Sequence, residues 1–86
     1  MNLYSIRDRA ARAFGNPFVM ANNATAMRVF EAEVNRSSQD NMLHQAPHDF
    51  ELYCVGSFNI DTGLVEQNLE LVCTGNELVR VPPASS

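Results

Sequence analysis

A chain of 86 residues has room for one domain with a small hydrophobic core. Hydrophobic residues make up 45% of it and charged residues 19%, a composition that indicates a folded protein rather than a disordered tail. The net charge is −4 and lysine is absent, which excludes a strongly basic nucleic-acid-binding protein.

Two further classes of protein are disfavoured by the sequence. No apolar run approaches the roughly 20 residues that a membrane-spanning helix needs, and the N-terminal segment MNLYSIRDRAARAF lacks the apolar core of a secretory signal. We therefore expect a cytoplasmic protein with no membrane partner. Cys54 and Cys73 are too few for a disulfide scaffold and favour free buried thiols, although neighbouring strands would also permit a disulfide between them.

The first third of the chain predicts two strands. NLYSIR alternates, with Tyr4 and Ile6 on one face, and is typical of a strand. Asp8 is placed to cap a short helical turn in the segment DRAARAF that follows. GNP interrupts the pattern, and FVMA predicts a short second strand that pairs with the first.

The clearest helix is NNATAMRVFEAEVNR, capped by Asn22 or Asn23. Its apolar residues recur at helical spacing and form one stripe: Ala26, Met27, Phe30 and Val34. Glu31 and Asn35 lie off the stripe and are expected to face solvent. The polar stretch that follows predicts irregular structure, with one helical turn over 41–45 that Pro47 ends.

Residues 48–66 have the pattern of a β-hairpin. One face of its first strand carries Phe50, Leu52, Cys54, Gly56, Phe58 and Ile60, and Tyr53 lies on the other face. Gly63 supplies the positive φ that the bend requires. Residues 64–72 predict the return strand, residues 76–81 an edge strand or a turn, and residues 82–86 a flexible tail.

These elements predict a single α+β domain over residues 1–81. The order β-β-α-β-β favours two layers, a four-stranded, mostly antiparallel sheet with one helix packed on it. In that arrangement, Phe30 on the helix contacts the strand that carries Leu52, Cys54 and Phe58.

Motifs of catalysis and cofactor binding are missing. The chain has no glycine-rich phosphate loop, zinc-ligand spacing or nucleophile elbow. His44 and His48 are four residues apart, but Pro47 prevents a continuous helix through both, and no third ligand is evident. Cys54 follows His48 and Asp49, yet its place on the inward face of a strand favours an inert thiol. We expect no enzyme activity, no cofactor and no metal site.

Charge is distributed unevenly and marks one candidate binding site. Residues 1–36 carry a net charge of +2 and residues 37–86 a net charge of −6. Arg7, Arg9 and Arg12 form the densest basic cluster and suit phosphate contacts, while Tyr53 offers a stacking surface for an unpaired base. The alternative is that the three arginines only solvate a strand end and that Tyr53 covers the outer sheet face.

Three stretches together resemble the small nonstructural proteins of gokushovirus-type microviruses, which are phages with single-stranded DNA genomes. They are YSIRD, NPFVMANNATAMRVFEAEVN and APHDFELYCVGSFNIDTGLVE, and they span residues 4–66 in order. The resemblance implies a nonstructural protein of the host cytoplasm, linked to single-stranded DNA synthesis or packaging. It implies no catalytic residues.

Three functions follow from the sequence and the resemblance. The first is an accessory factor that binds single-stranded DNA weakly and without sequence preference through Arg7, Arg9, Arg12 and Tyr53. The second is a docking module that binds a phage or host protein. The third, a small enzyme, is the least favoured. We also expect a homodimer or larger homo-oligomer, because a sheet this small has two edges to protect.

Overall fold

The computed structural model describes residues 1–80 and contains one antiparallel sheet with a single long helix packed on one face. The five strands are β1 (Asn2–Asp8), β2 (Ala13–Phe14), β3 (Phe18–Met20), β4 (Phe50–Phe58) and β5 (Val65–Thr74). The helices are α1 (Asn23–Val34) and the single turn α2 (Met42–Gln45), with 3₁₀ turns at Pro47–Asp49 and Gly75–Leu78. The predicted two-layer α+β fold is confirmed. The predicted tail at 82–86 and residue 81 lie outside the described residues.

Strand β1 organises the sheet because it has neighbours on both sides. One side pairs with β4, which in turn pairs with β5. The other side pairs with two short strands in succession, β3 near the start of β1 and β2 near its end. The sheet therefore has five strands rather than the four predicted.

The additional strand β2 lies in the segment predicted as a capped helical turn. The Asp8 carboxylate does accept from the backbone N–H groups of Ala10 and Ala11, at 2.9 and 3.1 Å. The turn that it stabilises, however, reverses the chain, so that Phe14 pairs with Arg7. Pairing with β1 is a tertiary interaction, and it prevails over the local tendency toward a helix.

The core lies between α1 and the inward face of β1 and β4. Its buried members are Tyr4, Ala26, Phe30, Val34, Phe50, Leu52, Cys54 and Cys73. The predicted contact of Phe30 with the Leu52 and Cys54 strand is thus confirmed. The Tyr4 hydroxyl donates to Asn23 Oδ1 at 2.6 Å. This hydrogen bond joins β1 to the start of α1.

The β4–β5 hairpin extends beyond this core. Gly63 has φ of 76°, as predicted for the bend. Ile60, predicted on the core face, is 72% exposed, and Phe58 is half-buried and outside the core. Ile60 lies in the turn that follows the end of β4 at Phe58. Phe58 lies beyond an irregularity at Val55, where the register of β4 with both neighbouring strands shifts and the alternation of faces is reset.

Two asparagine side chains hold the segments that follow α1. The buried Asn41 side chain donates to the carbonyls of Glu33 and Arg36 and accepts from Leu43 N–H, which ends α1 and begins α2. Asn35 donates to the Leu78 carbonyl at 2.9 Å and accepts from Arg80 N–H at 2.8 Å. Asn35 therefore anchors the last described residues instead of facing solvent as expected.

Candidate nucleic-acid interface

The face of the sheet opposite α1 carries three of the residues that build the candidate site. Arg7 on β1 and Phe14 on β2 are register partners, and the Arg7 Cζ atom lies 5.8 Å from the centre of the Phe14 ring. The Phe14 ring meets Tyr53 on β4 edge-on, with 5.3 Å between ring centres. Arg7 and Tyr53, predicted as site residues, are thus connected through an aromatic residue that the prediction did not include.

Arg9 and Arg12 lie in the turn that joins β1 to β2, next to this row. Both are exposed. The backbone of Arg9 donates to the Asp49 carbonyl at 2.7 Å, and its Nη1 donates to the His48 carbonyl at 3.3 Å. Arg12 has φ of 56°, a left-handed conformation that glycine adopts at lower cost than arginine. We call the five residues Arg7, Arg9, Arg12, Phe14 and Tyr53 the arginine–aromatic patch.

The three guanidinium groups differ in their electrostatic surroundings. Arg7 Nη1 lies 3.5 Å from Glu51 Oε1, so part of its charge is compensated within the protein. Within residues 1–80, neither Arg9 nor Arg12 has a carboxylate within 4.0 Å. Two full positive charges are therefore available to an anion at this end of the sheet, rather than three.

The patch borders further apolar side chains on the same face of the sheet. Leu3 and Val19 are register partners on β1 and β3, and Leu71 is the partner of Tyr53 on β5. Val55, between Tyr53 and the hairpin tip, is half-buried and does not join the core. We call this surface, formed by Leu3, Phe14, Val19, Tyr53, Val55 and Leu71, the outer apolar face.

Two residues that matter at the patch were missed by sequence reasoning. Phe14 lies on a strand of only two residues, too short to give an alternating pattern. Glu51 is two residues before Tyr53 and so shares its face of β4, but its pairing with Arg7 depends on the register between β1 and β4. Neither the contact of Phe14 with Tyr53 nor that of Glu51 with Arg7 can be predicted without knowing how the strands pair.

The two histidines have structural partners, and the two cysteines are buried. His44 Nδ1 lies 3.0 Å from the Val34 carbonyl, and His48 Nε2 lies 3.5 Å from Asp49 Oδ1. Cys54 and Cys73 are free and buried, and burial, with a smaller effect of Glu77, raises the pKa of the Cys73 thiol to about 11. Residues 1–80 contain no group of three or more metal-ligating side chains. None of their helices is long and apolar enough to span a membrane.

Comparison with known proteins agrees with the resemblance seen in the sequence. A family model described as Phage ORF5 protein matches residues 1–78, which is nearly the whole described chain. The chain belongs to the Phage ORF5 protein family. It is also 38% identical over 65 residues to Protein ORF5 of Chlamydia phage 1, an alignment that covers 73% of this chain and 68% of that protein. No solved structure matches the chain. The predicted membership of a microvirus protein family is confirmed, and the protein is a phage accessory protein.

Proposed function

We propose that this protein binds single-stranded DNA in the host cytoplasm, weakly and without sequence preference, as an accessory factor in synthesis or packaging of the phage genome. The observation that carries the proposal is the arginine–aromatic patch. Two arginines that have no carboxylate partner within residues 1–80 adjoin two aromatic rings in edge-to-face contact on one open surface. Cationic groups that contact the backbone and aromatic rings that stack on bases are the two components of nonspecific single-strand binding sites.

The geometry suggests a division of roles within the patch. Arg9 and Arg12, on the turn, are placed to contact phosphates. Phe14, 44% exposed, and Tyr53, half-buried behind it, offer a ring surface to a base. Arg7 contacts Phe14 and Glu51, so its main part in the free protein is to hold that ring in place. No residue in this arrangement is a nucleophile or a general base, and the proposed activity is binding alone.

The salt dependence of binding tests the phosphate contacts. Two contacts predict a log–log slope near −1.4 for a labelled oligonucleotide followed by fluorescence anisotropy, since each phosphate contact on a single strand contributes about −0.7. Arg9→Gln/Arg12→Gln should abolish this slope. Arg28→Gln/Arg36→Gln, two exposed arginines on or just after α1, removes the same charge away from the patch and should leave the slope near −1.4. If the wild-type protein fails to bind at low salt and high micromolar concentration, the proposal is wrong.

Glu51 offers a second test with the opposite sign. Glu51→Gln removes the carboxylate that holds Arg7 and should release a third cation to the DNA. The slope should then steepen to about −2.1 and affinity at low salt should rise. If DNA binding is unchanged in this variant, Arg7 does not contact the DNA.

The apolar composition of the outer face favours a second candidate function, docking to a phage or host protein. Antiparallel sheets usually present polar side chains on an open face, whereas this one presents six apolar or aromatic residues. Exposed apolar surface of this kind is common at protein–protein interfaces. Partner binding that is insensitive to salt and to the arginine variants, with no DNA binding, would favour this candidate.

A further inference from the structure

Strand β5 forms one edge of the sheet, and within residues 1–80 it pairs with β4 alone. We propose that this edge binds an extended segment of a partner protein in which arginine or lysine alternates with apolar residues, so that the segment adds a further strand to the sheet. The proposal concerns the edge of the sheet. It depends neither on DNA binding nor on docking to the outer apolar face.

The backbone hydrogen bonds of β4 show which groups of β5 point away from the sheet near the hairpin bend. Phe58 N–H donates to the Met1 carbonyl at 2.8 Å, on the β1 side of β4, and so points away from its register partner Val65. Bonding and non-bonding pairs alternate along antiparallel strands. The N–H and C=O groups of Val65 and Gln67 therefore face the free edge of β5.

The other end of β5 has the same arrangement. Gly15 N–H donates to the Ile6 carbonyl at 2.8 Å, so the backbone of Ile6 faces away from β4. The preceding residue of β1, Ser5, then faces β4 and bonds with its register partner Tyr53. Because the backbone of Tyr53 faces β1, its partner on β5, Leu71, also presents its N–H and C=O groups at the free edge.

The side chains of β5 that point to the α1 side of the sheet include two carboxylates. Glu70 is the register partner of Cys54, which is buried beneath α1. Glu66 is the partner of Ser57, which pairs in turn with Asn2 on the α1 side of β1. Both carboxylates are exposed, and within residues 1–80 neither lies within 4.0 Å of a cationic group. The described chain supplies no countercharge at this edge.

The side chains of β5 that point to the opposite side are mostly apolar. Leu71 is the register partner of Tyr53, on the outer face. Alternation from Leu71 back toward the bend places Leu69, Gln67 and Val65 on the same side. Leu71, Leu69 and Val65 are 46%, 64% and 56% exposed. Along its free edge, β5 therefore has apolar side chains on one side of the sheet and acidic side chains on the other.

This pattern specifies the chemistry of the partner segment. In an added strand, each side chain lies beside a side chain of β5 on the same face of the sheet. Apolar side chains of the partner would pack beside Leu69 and Leu71. Arginine or lysine side chains would lie beside Glu66 and Glu70, where opposite charges on neighbouring strands are favourable. The outward N–H and C=O groups of β5 would bond to the backbone of the segment.

A second copy of the chain fits this edge less well than a cationic segment. Two β5 strands paired about a two-fold axis perpendicular to the sheet would place Glu66 and Glu70 of both copies on one side, with no cation among them. Long exposed edges that lack lysine and proline otherwise tend to pair with one another. The carboxylates of β5 thus oppose self-pairing and favour a positively charged strand.

Amide hydrogen exchange measured by NMR tests the edge, with no DNA present. The probe is a synthetic peptide as long as the exposed part of β5, in which arginine and valine alternate. Its binding should protect the outward amides of Val65, Gln67 and Leu71, and should leave unchanged those of Glu66 and Glu70, which face β4. A control peptide of the same composition with its arginines consecutive has the same charge but the wrong pattern, and should bind about tenfold more weakly.

Variants of the protein test the charges and the backbone separately. Glu66→Gln/Glu70→Gln should weaken binding of the alternating peptide about fivefold, because two opposite-charge pairs across strands are lost. Glu33→Gln/Asp40→Asn removes the same charge at or after the end of α1 and should bind as the wild type does. Gln67→Pro removes one outward N–H without removing a bond to β4, and should also weaken binding. Circular dichroism checks that each variant is folded.

Three results would overturn the proposal. The first is no binding of the alternating peptide at high micromolar concentration, and the second is equal binding of the control peptide. The third is protection of the outward amides in the protein alone that rises with protein concentration, which would identify a second copy as the occupant of the edge. Because no DNA is present, each of these results is independent of the arginine–aromatic patch.

Discussion

The two faces of the sheet differ in what covers them and in what their side chains do. On the inward face Tyr4, Leu52 and Cys54 are buried beneath α1. On the outer face Arg7 on β1, Tyr53 on β4 and Leu71 on β5 are at least partly accessible. Successive side chains along a strand point to opposite faces, so the two faces share one backbone and differ only in their side chains.

This difference separates residues that explain folding from residues that require another explanation. Apolar side chains on the inward face lose contact with water when the domain forms, and this contributes stability in proportion to the area buried. Apolar side chains on the outer face gain much less from folding, because most remain in contact with solvent. Only a ligand or a second chain would remove these side chains from water.

Removing a large side chain of α1 that packs on the inward face should have the largest effect on stability. Phe30→Ala should lower the free energy of unfolding by about 3–5 kcal/mol, because Phe30 is fully buried and its loss leaves a cavity. Val29→Ala, at the adjacent exposed position of α1, should change it by less than about 0.5 kcal/mol. Chemical denaturation measures both. A folded Phe30→Ala protein as stable as the wild type would show that the inward face is not the core.

Truncating an aromatic side chain of the outer face should affect binding more than stability. Tyr53→Ala should weaken binding to single-stranded DNA by about 1–3 kcal/mol through loss of stacking, with the salt slope unchanged. Tyr53→Phe keeps the ring and should bind like the wild type. Anisotropy titrations at several salt concentrations measure the affinity for DNA and the salt slope separately. A change in slope for Tyr53→Ala would mean that Tyr53 positions the arginines instead of contacting a base.

A single hydroxyl on the inward face allows a finer test of the core. Tyr4→Phe removes the donor to Asn23 Oδ1 but keeps the buried ring, and should cost about 0.5–1.5 kcal/mol of stability. Asn23→Ala removes the other partner. Measured together in a double-mutant cycle, the two substitutions should show coupling, whereas additive effects would contradict a direct hydrogen bond.

The smallest expected effect is a gain of stability at the edge of the outer face. Arg12→Gly should raise the free energy of unfolding by about 0.5 kcal/mol, because glycine adopts the left-handed conformation of residue 12 without steric strain. Arg12→Ala keeps the strain and should not be stabilising. Both variants lose the charge and should bind DNA more weakly, so stability and binding should change in opposite directions in Arg12→Gly. A destabilised Arg12→Gly protein would show that the turn conformation is wrong.

The inward face could be predicted from the sequence, and most of the outer face could not. Helical spacing identified Phe30 and Val34, and alternation identified Leu52 and Cys54, because burial against α1 imposes a period on each element. Alternation failed at Phe58, beyond the register shift at Val55, and at Ile60, which lies in the turn after β4 ends. A period in the sequence predicts a covered face only within a strand whose register is regular.

The candidate site was predictable as a set of residue types but not as an arrangement. The cluster of Arg7, Arg9 and Arg12 is visible in the sequence because these residues are close along the chain. The contact of Arg7 with Glu51 and that of Phe14 with Tyr53 join residues about 40 positions apart, and the register between strands creates them. Composition and local pattern contain no information on that register.

The central position of β1 has a consequence for how the polypeptide acquires its structure during synthesis. Strand β1 receives β2 and β3 within about a dozen residues of its own end, but its other neighbour, β4, is translated some 40 residues later. Loop closure over that distance is slow compared with formation of a local turn. A nascent chain that contains only β1 to α1 therefore exposes Tyr4 and Phe30 until β4 emerges from the ribosome. During that interval the growing chain is open to aggregation and to capture by a chaperone.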